Sequence, residues 1–150
     1  MKATMAIVSM LLVGACASQN NNRKVDIAQP EVAIEQLSSV PLVAEQVTGG
    51  MPVQYRMTVT NTAQIPITLK RVDIRSMGTG AYNVQPTSKP YDLVVAPGAT
   101  EAFDLWIPAF ATTSVAGANG AVALQLRTQF ATASGAFQNV TVSQVMGRIQ

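Results

Sequence analysis

Val53-Gln54-Tyr55-Arg56-Met57-Thr58-Val59-Thr60 alternates apolar and polar residues without interruption. Successive side chains of an extended chain point to opposite faces, so this stretch reads as a strand that buries Val53, Tyr55, Met57 and Val59. Gln54, Arg56, Thr58 and Thr60 face water. It is the clearest strand in the chain, and the same period of two governs most of the sequence from about Glu31 onward. The next strand opens with Ile67 and Leu69, but its later apolar positions are Val72 and Ile74. That slip of parity near Lys70 and Arg71 would turn one set to solvent unless an extra residue is inserted, which predicts a β-bulge. Phe103, Leu105 and Ile107 mark another buried face, and Val122, Leu124 and Leu126 a fourth. Val140 and Val142 are expected to begin a last strand running toward Ile149. Residues 32–37 and 91–95 are weaker candidates, for a total of about seven.

Turn chemistry falls between these runs. Thr48-Gly49-Gly50, Gly78-Thr79-Gly80, Ala96-Pro97-Gly98 and Ser134-Gly135 supply residues that accept positive φ or preset a turn, and Pro97-Gly98 suits the two central positions of a type II turn. No window shows the three-and-four apolar spacing of a capped helix. Residues 108–120, rich in Ala, Thr and Gly, read as a long connection with room for one helical turn. No internal repeat of fixed period is present. The expected fold class is all-β: an antiparallel β-sandwich of about seven strands, favoured over a closed barrel by short strands with turn signals between them.

The N-terminal end has a different character. Lys2 precedes a run from Met5 to Val13 that only Ser9 interrupts, too short to span a bilayer as a helix. Leu12-Val13-Gly14-Ala15-Cys16 resembles the lipobox of bacterial lipoproteins, and Cys16 is the only cysteine in the chain. The resemblance implies cleavage before Cys16 and acylation of that residue. Each buried methylene contributes about 0.8 kcal/mol, so several acyl chains anchor stably where one is marginal. The competing reading is a buried thiol at the end of an apolar helix. Ala17 stands where an aspartate typically marks inner-membrane retention in Gram-negative lipoproteins, which favours the outer membrane, on its periplasmic side. Ala17 to Lys24 is small and polar and reads as a disordered tether, holding the domain roughly 20 Å from the lipid. The expected organisation is a signal peptide over residues 1–15, lipidated cysteine and linker over 16–30, and one β-sandwich domain over 31–150.

Residues 53–69, reading Val-Gln-Tyr-Arg-Met-Thr-Val-Thr-Asn-Thr-Ala-Gln-Ile-Pro-Ile-Thr-Leu, are similar to the strand and Asn-containing turn of WHy-type domains of late-embryogenesis-abundant proteins. Asn61, Pro66 and Ala96-Pro97-Gly98-Ala99-Thr100 carry the match. Thr62 departs from it, standing where that family usually has proline. The resemblance covers about half of the processed chain. It implies an immunoglobulin-like sandwich and a non-catalytic role in stress or desiccation protection.

Composition narrows the function further. Without residues 1–15, nine of the ten Lys and Arg face eight Asp and Glu, so the side chains leave one net positive charge. This balance lacks the strongly basic footprint of nucleic-acid-binding domains. The remaining 135 of 150 residues suffice for one core without disulfides. Histidine is absent, which removes the commonest general base and metal ligand and every Ser-His or Cys-His arrangement. Asp73, Asp92, Glu101 and Asp104 are the only acids of the core region, and each reads as solvated surface, not as a desolvated catalytic acid. Ser88-Lys89 reads as a loop dipeptide beside Pro90. Acids are too scattered for calcium, and no Gly-rich loop opens a helix to cradle phosphate. No enzyme activity, cofactor, metal site or small-molecule substrate is expected.

Two features suggest a binding surface. With Phe103, Leu105 and Ile107 inward, Trp106 faces out beside Asp104, either as an interface anchor or covered by the N-terminal segment or the 108–120 connection. Arg56, Lys70, Arg71 and Arg75 form a modest basic set, expected on neighbouring strands and diluted by Asp73. It reads as a solubilising face and edge protection, with contact to anionic lipid or polysaccharide as the alternative. The leading expectation is a membrane-anchored periplasmic lipoprotein, tethered through covalent lipid on Cys16 and serving as a non-catalytic binding or assembly module with an envelope protein partner. A WHy-like protective domain is the second reading, and a cell-envelope hydrolase, motivated only by location, the third.

Overall fold

The computed structural model describes residues 28–38, 50–78, 80–111 and 121–146. Eight strands form there: β1 Glu31–Gln36, β2 Met51–Thr60, β3 Ile67–Met77, β4 Tyr82–Val84, β5 Thr87–Val95, β6 Thr100–Ala111, β7 Ala121–Thr132 and β8 Gly135–Met146. They build two four-stranded sheets in the orders β1-β2-β6-β4 and β5-β3-β7-β8, and every pairing is antiparallel. Only β1–β2 and β7–β8 join neighbours in sequence, and every other connection crosses between sheets. The central pairs β2–β6 and β3–β7 face each other, as in an immunoglobulin-like sandwich.

The core follows from the alternation. Val53, Tyr55, Met57 and Val59 are fully buried, as are Ile67, Leu69, Val72 and Ile74 from β3 and Val122, Leu124 and Leu126 from β7. Each such aliphatic side chain contributes on the order of 2 kcal/mol by leaving water. The bulge forms where parity slips: Leu69 pairs with Phe130 and Arg71 with Gln129, leaving Lys70 as the extra residue. Lys70 and Arg71 are therefore both exposed, while Val72 and Ile74 return to the core. The turn at residues 96–99 takes its expected shape, with Ala99 N–H donating to Ala96 O at 3.0 Å and Gly98 at φ 69°.

Four local expectations are corrected. The strand count is eight because the three-residue β4, too short to show a period, adds to the β6 edge. The 108–120 connection is shorter than expected, since β6 continues through Pro108 to Ala111, and residues 112–120 lie outside those described. Pro108 is tolerated because its carbonyl accepts Gln85 N–H at 2.7 Å, so its nitrogen also points away from β2 and removes nothing from the β2–β6 ladder. Ser88-Lys89 lies inside β5, not in a loop. Finally, β8 begins at Gly135 and its apolar residues are inverted: Val140 and Val142 face solvent, while Phe137 packs inward on Phe130 at 5.4 Å between ring centroids. The hairpin sets this parity by pairing Thr132 with Gly135, and a register fixed at the turn overrides the apolar pattern further along.

Two buried polar networks brace opposite ends of the sandwich. At the end where residues 61–66, 96–99 and the β7–β8 hairpin gather, Asn61 Nδ2 donates to Ile65 O (2.8 Å) and Val95 O (3.0 Å), and its Oδ1 accepts Ala63 N–H (3.0 Å). Its backbone bonds Ala99 O and Gly98 N–H, both at 2.9 Å. Toward the other end, Tyr82 O–H donates to Gln36 Oε1 at 2.6 Å and lies 2.7 Å from Tyr55 Oη, while Gln36 Nε2 donates to Ser38 O at 2.6 Å. Tyr82 spends its only hydroxyl hydrogen on Gln36, so Tyr55 is the donor to Tyr82.

Candidate binding surfaces

The outer faces of the two sheets hold the residues singled out from sequence. On the first sheet, β6 turns Asp104, Trp106, Pro108 and Phe110 outward, and β2 sets Arg56, Gln54 and Pro52 beside them through the pairs Arg56↔Asp104, Gln54↔Trp106 and Pro52↔Pro108. Asp104 accepts Arg56 Nε at 2.9 Å, Arg56 Nη2 at 3.2 Å and Gln54 Nε2 at 3.2 Å. Trp106 is 51 % exposed and Phe110 46 %. Gly50 lies against the Phe110 ring: a Cβ there would stand 2.9 Å from Pro108 Cβ and 3.1 Å from Phe110 Cζ. The result is an apolar ledge of Trp106, Pro108, Phe110 and Pro52, fenced on one side by the Arg56–Asp104 pair. Residues 108–111 continue the strand past Trp106 and do not fold over it. Its carbonyl accepts Lys89 Nζ at 2.9 Å, which places an ammonium on the part of the β6 edge that β4 is too short to cover.

The basic set does not form one surface. Arg56 belongs to the first sheet, whereas Lys70, Arg71 and Arg75 lie on β3 in the second, because the chain crosses sheets between β2 and β3. Lys70 pairs with Asp92 on β5. Arg71 Nε bonds Asp73 Oδ1 at 2.8 Å and Ser88 Oγ at 2.7 Å, and Arg75 Nε donates to Gln125 Oε1 at 2.6 Å. Arg127 on β7 stands directly across from Asp73. Arg71, Asp73, Arg75, Gln125 and Arg127, without Lys70 and Asp92, line an open depression of about 320 Å³, floored by β3 and β7 and bounded by Pro86, Thr87 and Ser88. Partial burial works to raise the Asp73 carboxyl, but bonds from Ser88 and Arg71 and the nearby charges of Arg71 and Arg127 prevail, so its pKa is lowered.

Arg127 and Gln125 escaped the reading from sequence, and Ser88 was read there only as part of a loop. The alternation of Gln125, Arg127 and Gln129 with Leu124 and Leu126 was a sufficient signal that Arg127 faces out. That β7 lies beside β3, and Ser88 beside Asp73, depends on pairings between distant segments. Among the described residues no three of His, Cys, Asp and Glu are grouped to hold a metal, and three of the four core acids are in ion pairs: Asp73, Asp92 and Asp104. Cys16 and the segment preceding it lie outside the described residues.

No family model and no curated protein matches the chain. Solved structures do resemble it. A Northeast Structural Genomics Consortium target matches with TM-score 0.53 at 10% identity, covering 79% of this chain and 85% of its own. A protein from Archaeoglobus fulgidus matches with TM-score 0.51 at 10% identity, covering 76% and 91%. A PapD-like domain of human CEP192 aligns over 100% and 98% at 9% identity with TM-score 0.41. At such identities the first two define a class by fold alone, the antiparallel β-sandwich already described.

Proposed function

We propose that this chain is a lipoprotein of the bacterial envelope, acylated at Cys16, tethered to the periplasmic face of the outer membrane, and acting as a non-catalytic binding module. The observation that carries the binding role is the ledge of Trp106, Pro108 and Phe110. Large apolar and aromatic side chains on a rigid strand lose little freedom on contact, and a partner that covers them removes their surface from water. The ledge lies on the half of β6 away from Thr100, the residue whose strand end is shared with the chain entry at Pro30. A tether leaving from Pro30 would hold that end toward the membrane and leave the ledge free. The test is a photoreactive residue at Phe110 in cells, with Gln138 on the opposite sheet as control. A defined adduct from position 110 that disappears in Trp106→Ala supports the reading, and equal adducts from both positions refute it. Acylation is tested separately by labelled fatty acid, which Cys16→Ser should abolish.

A second reading, a stress-protective domain of the WHy type, is favoured by one observation. The residues that carry that resemblance meet in space, since Asn61 bonds both Gly98 and Ala99. It requires that strains lacking the chain survive drying less well than the wild type, and equal survival ends it.

A further inference from the structure

We propose that the depression on the second sheet, formed by Arg71, Arg75 and Arg127 with Ser88, Thr87 and Gln125, is a binding site for a phosphate monoester. Three guanidinium groups converge on it, and Asp73 is the single carboxylate among its lining residues, which leaves two net positive charges. A phosphate monoester carries about −1.5 to −2 charges at neutral pH, so the balance suits it better than a carboxylate.

The geometry is prepared for such a group. Arg71 and Arg75 are each held through Nε, by Asp73 and Ser88 in one case and by Gln125 in the other. Their terminal nitrogens make no further hydrogen bond among the described residues and can present the paired N–H edge that matches phosphate oxygens. Arg127 is fixed across from Asp73 by the β3–β7 register, and a long side chain reaches the diagonal neighbours of its partner in a sheet. Thr87 and Ser88, paired with Ile74 and Asp73, border the depression from β5, and Ser88 brings a hydroxyl group to its rim beside Arg71. The volume, about 320 Å³, is at the small end of ligand pockets and accommodates phosphate with a small attached group. The site lies on the sheet opposite the Trp106 ledge and stands or falls independently of it.

The test is a titration of the full chain in detergent with inorganic phosphate, followed by nitrogen-15 NMR of the arginine side chains. Saturable shifts at Arg71, Arg75 and Arg127 are expected, with about tenfold weaker binding in Arg127→Gln and in Arg75→Gln, each of which removes a charged donor. Both positions are exposed, so an unchanged melting temperature confirms that the variants are folded. Vesicles containing phosphatidic acid then identify the source: competition with phosphate assigns the site to a lipid headgroup, and its absence assigns it to a soluble or polymer-borne phosphate. Shifts that grow without saturating, that chloride reproduces at equal ionic strength, or that survive both substitutions would overturn the proposal.

Discussion

The two ends of the sandwich each bury a polar network, and they are built on opposite plans. Asn61 is one small side chain that satisfies three backbone groups in two separate segments, Ala63 and Ile65 of its own turn and Val95 at the end of β5. The other network is a relay of side chains, Tyr55 to Tyr82 to Gln36, that reaches the backbone at Ser38. Loss of the first strands main-chain groups that no rearrangement of rotamers can move. Loss of a relay member strands only its neighbours, whose hydroxyl or amide can turn. A buried amide that serves the backbone should therefore be worth more than a larger side chain that serves other side chains.

The sharpest break of that comparison is Asn61→Ala, which takes the side-chain partner from the buried Val95 carbonyl and Ala63 N–H and from the partly buried Ile65 carbonyl, and should destabilise the domain by about 4 kcal/mol, read by urea unfolding. Tyr82→Phe, at the centre of the relay, removes the hydroxyl that both Tyr55 O–H and Gln36 Oε1 bond and should cost about 2 kcal/mol. Alkali probes the same pair without mutation. Burial raises the pKa of both tyrosines, most strongly Tyr55, from an ordinary value of 10.0. Above that value the unfolded chain loses these protons while the folded chain keeps them, so stability is full below about pH 10 and declines as pH rises further. The Tyr55→Phe, Tyr82→Phe double variant should reduce that alkaline decline to the part due to Tyr91, whose pKa burial also raises, and Asn61→Ala should leave its slope unchanged. Tyr55→Phe alone removes only the terminal donor, and a loss of about 1 kcal/mol is expected, since Tyr82 still bonds Gln36. The smallest effect belongs to the half-exposed Trp106: Trp106→Ala should change stability by less than about 0.5 kcal/mol while abolishing the crosslink from position 110.

The same contrast explains how much was legible in the sequence. Asn61, Pro66 and Pro97-Gly98 announce turns by local chemistry, and Asn61 proved to be where two of them are joined. Alternation identified Tyr55 as buried, but nothing near it indicates where its hydroxyl goes. Its partner lies on β4, a strand of three residues, and the next link is Gln36, a polar residue at an inward position. On the surfaces, Trp106 was readable because its neighbours in β6 are strongly patterned. The basic set was misassembled because sequence proximity of β2 and β3 suggests a shared sheet, and the crossing that separates Arg56 from Arg71 and Arg75 is a property of the whole fold. Val140 and Val142 misled for a related reason: apolar side chains on an outer face imitate a core when the hairpin that fixes their parity is read too late.

The bulge at Lys70 has a consequence for chain length. Either side of it, inward residues keep their partners on β7, with Leu69 opposite Phe130 and Val72 opposite Thr128. A chain lacking Lys70 would alternate regularly from Ile67 to Ile74 and keep every one of those residues facing inward. This is thus the one place in β3 where a codon can be gained or lost without turning the strand inside out. What such a deletion would remove is the Lys70–Asp92 pair and the local twist, and it would leave Tyr91 and Asp92 of β5 with no residue of β3 opposite them, so the cost falls on the β5 edge and not on the core.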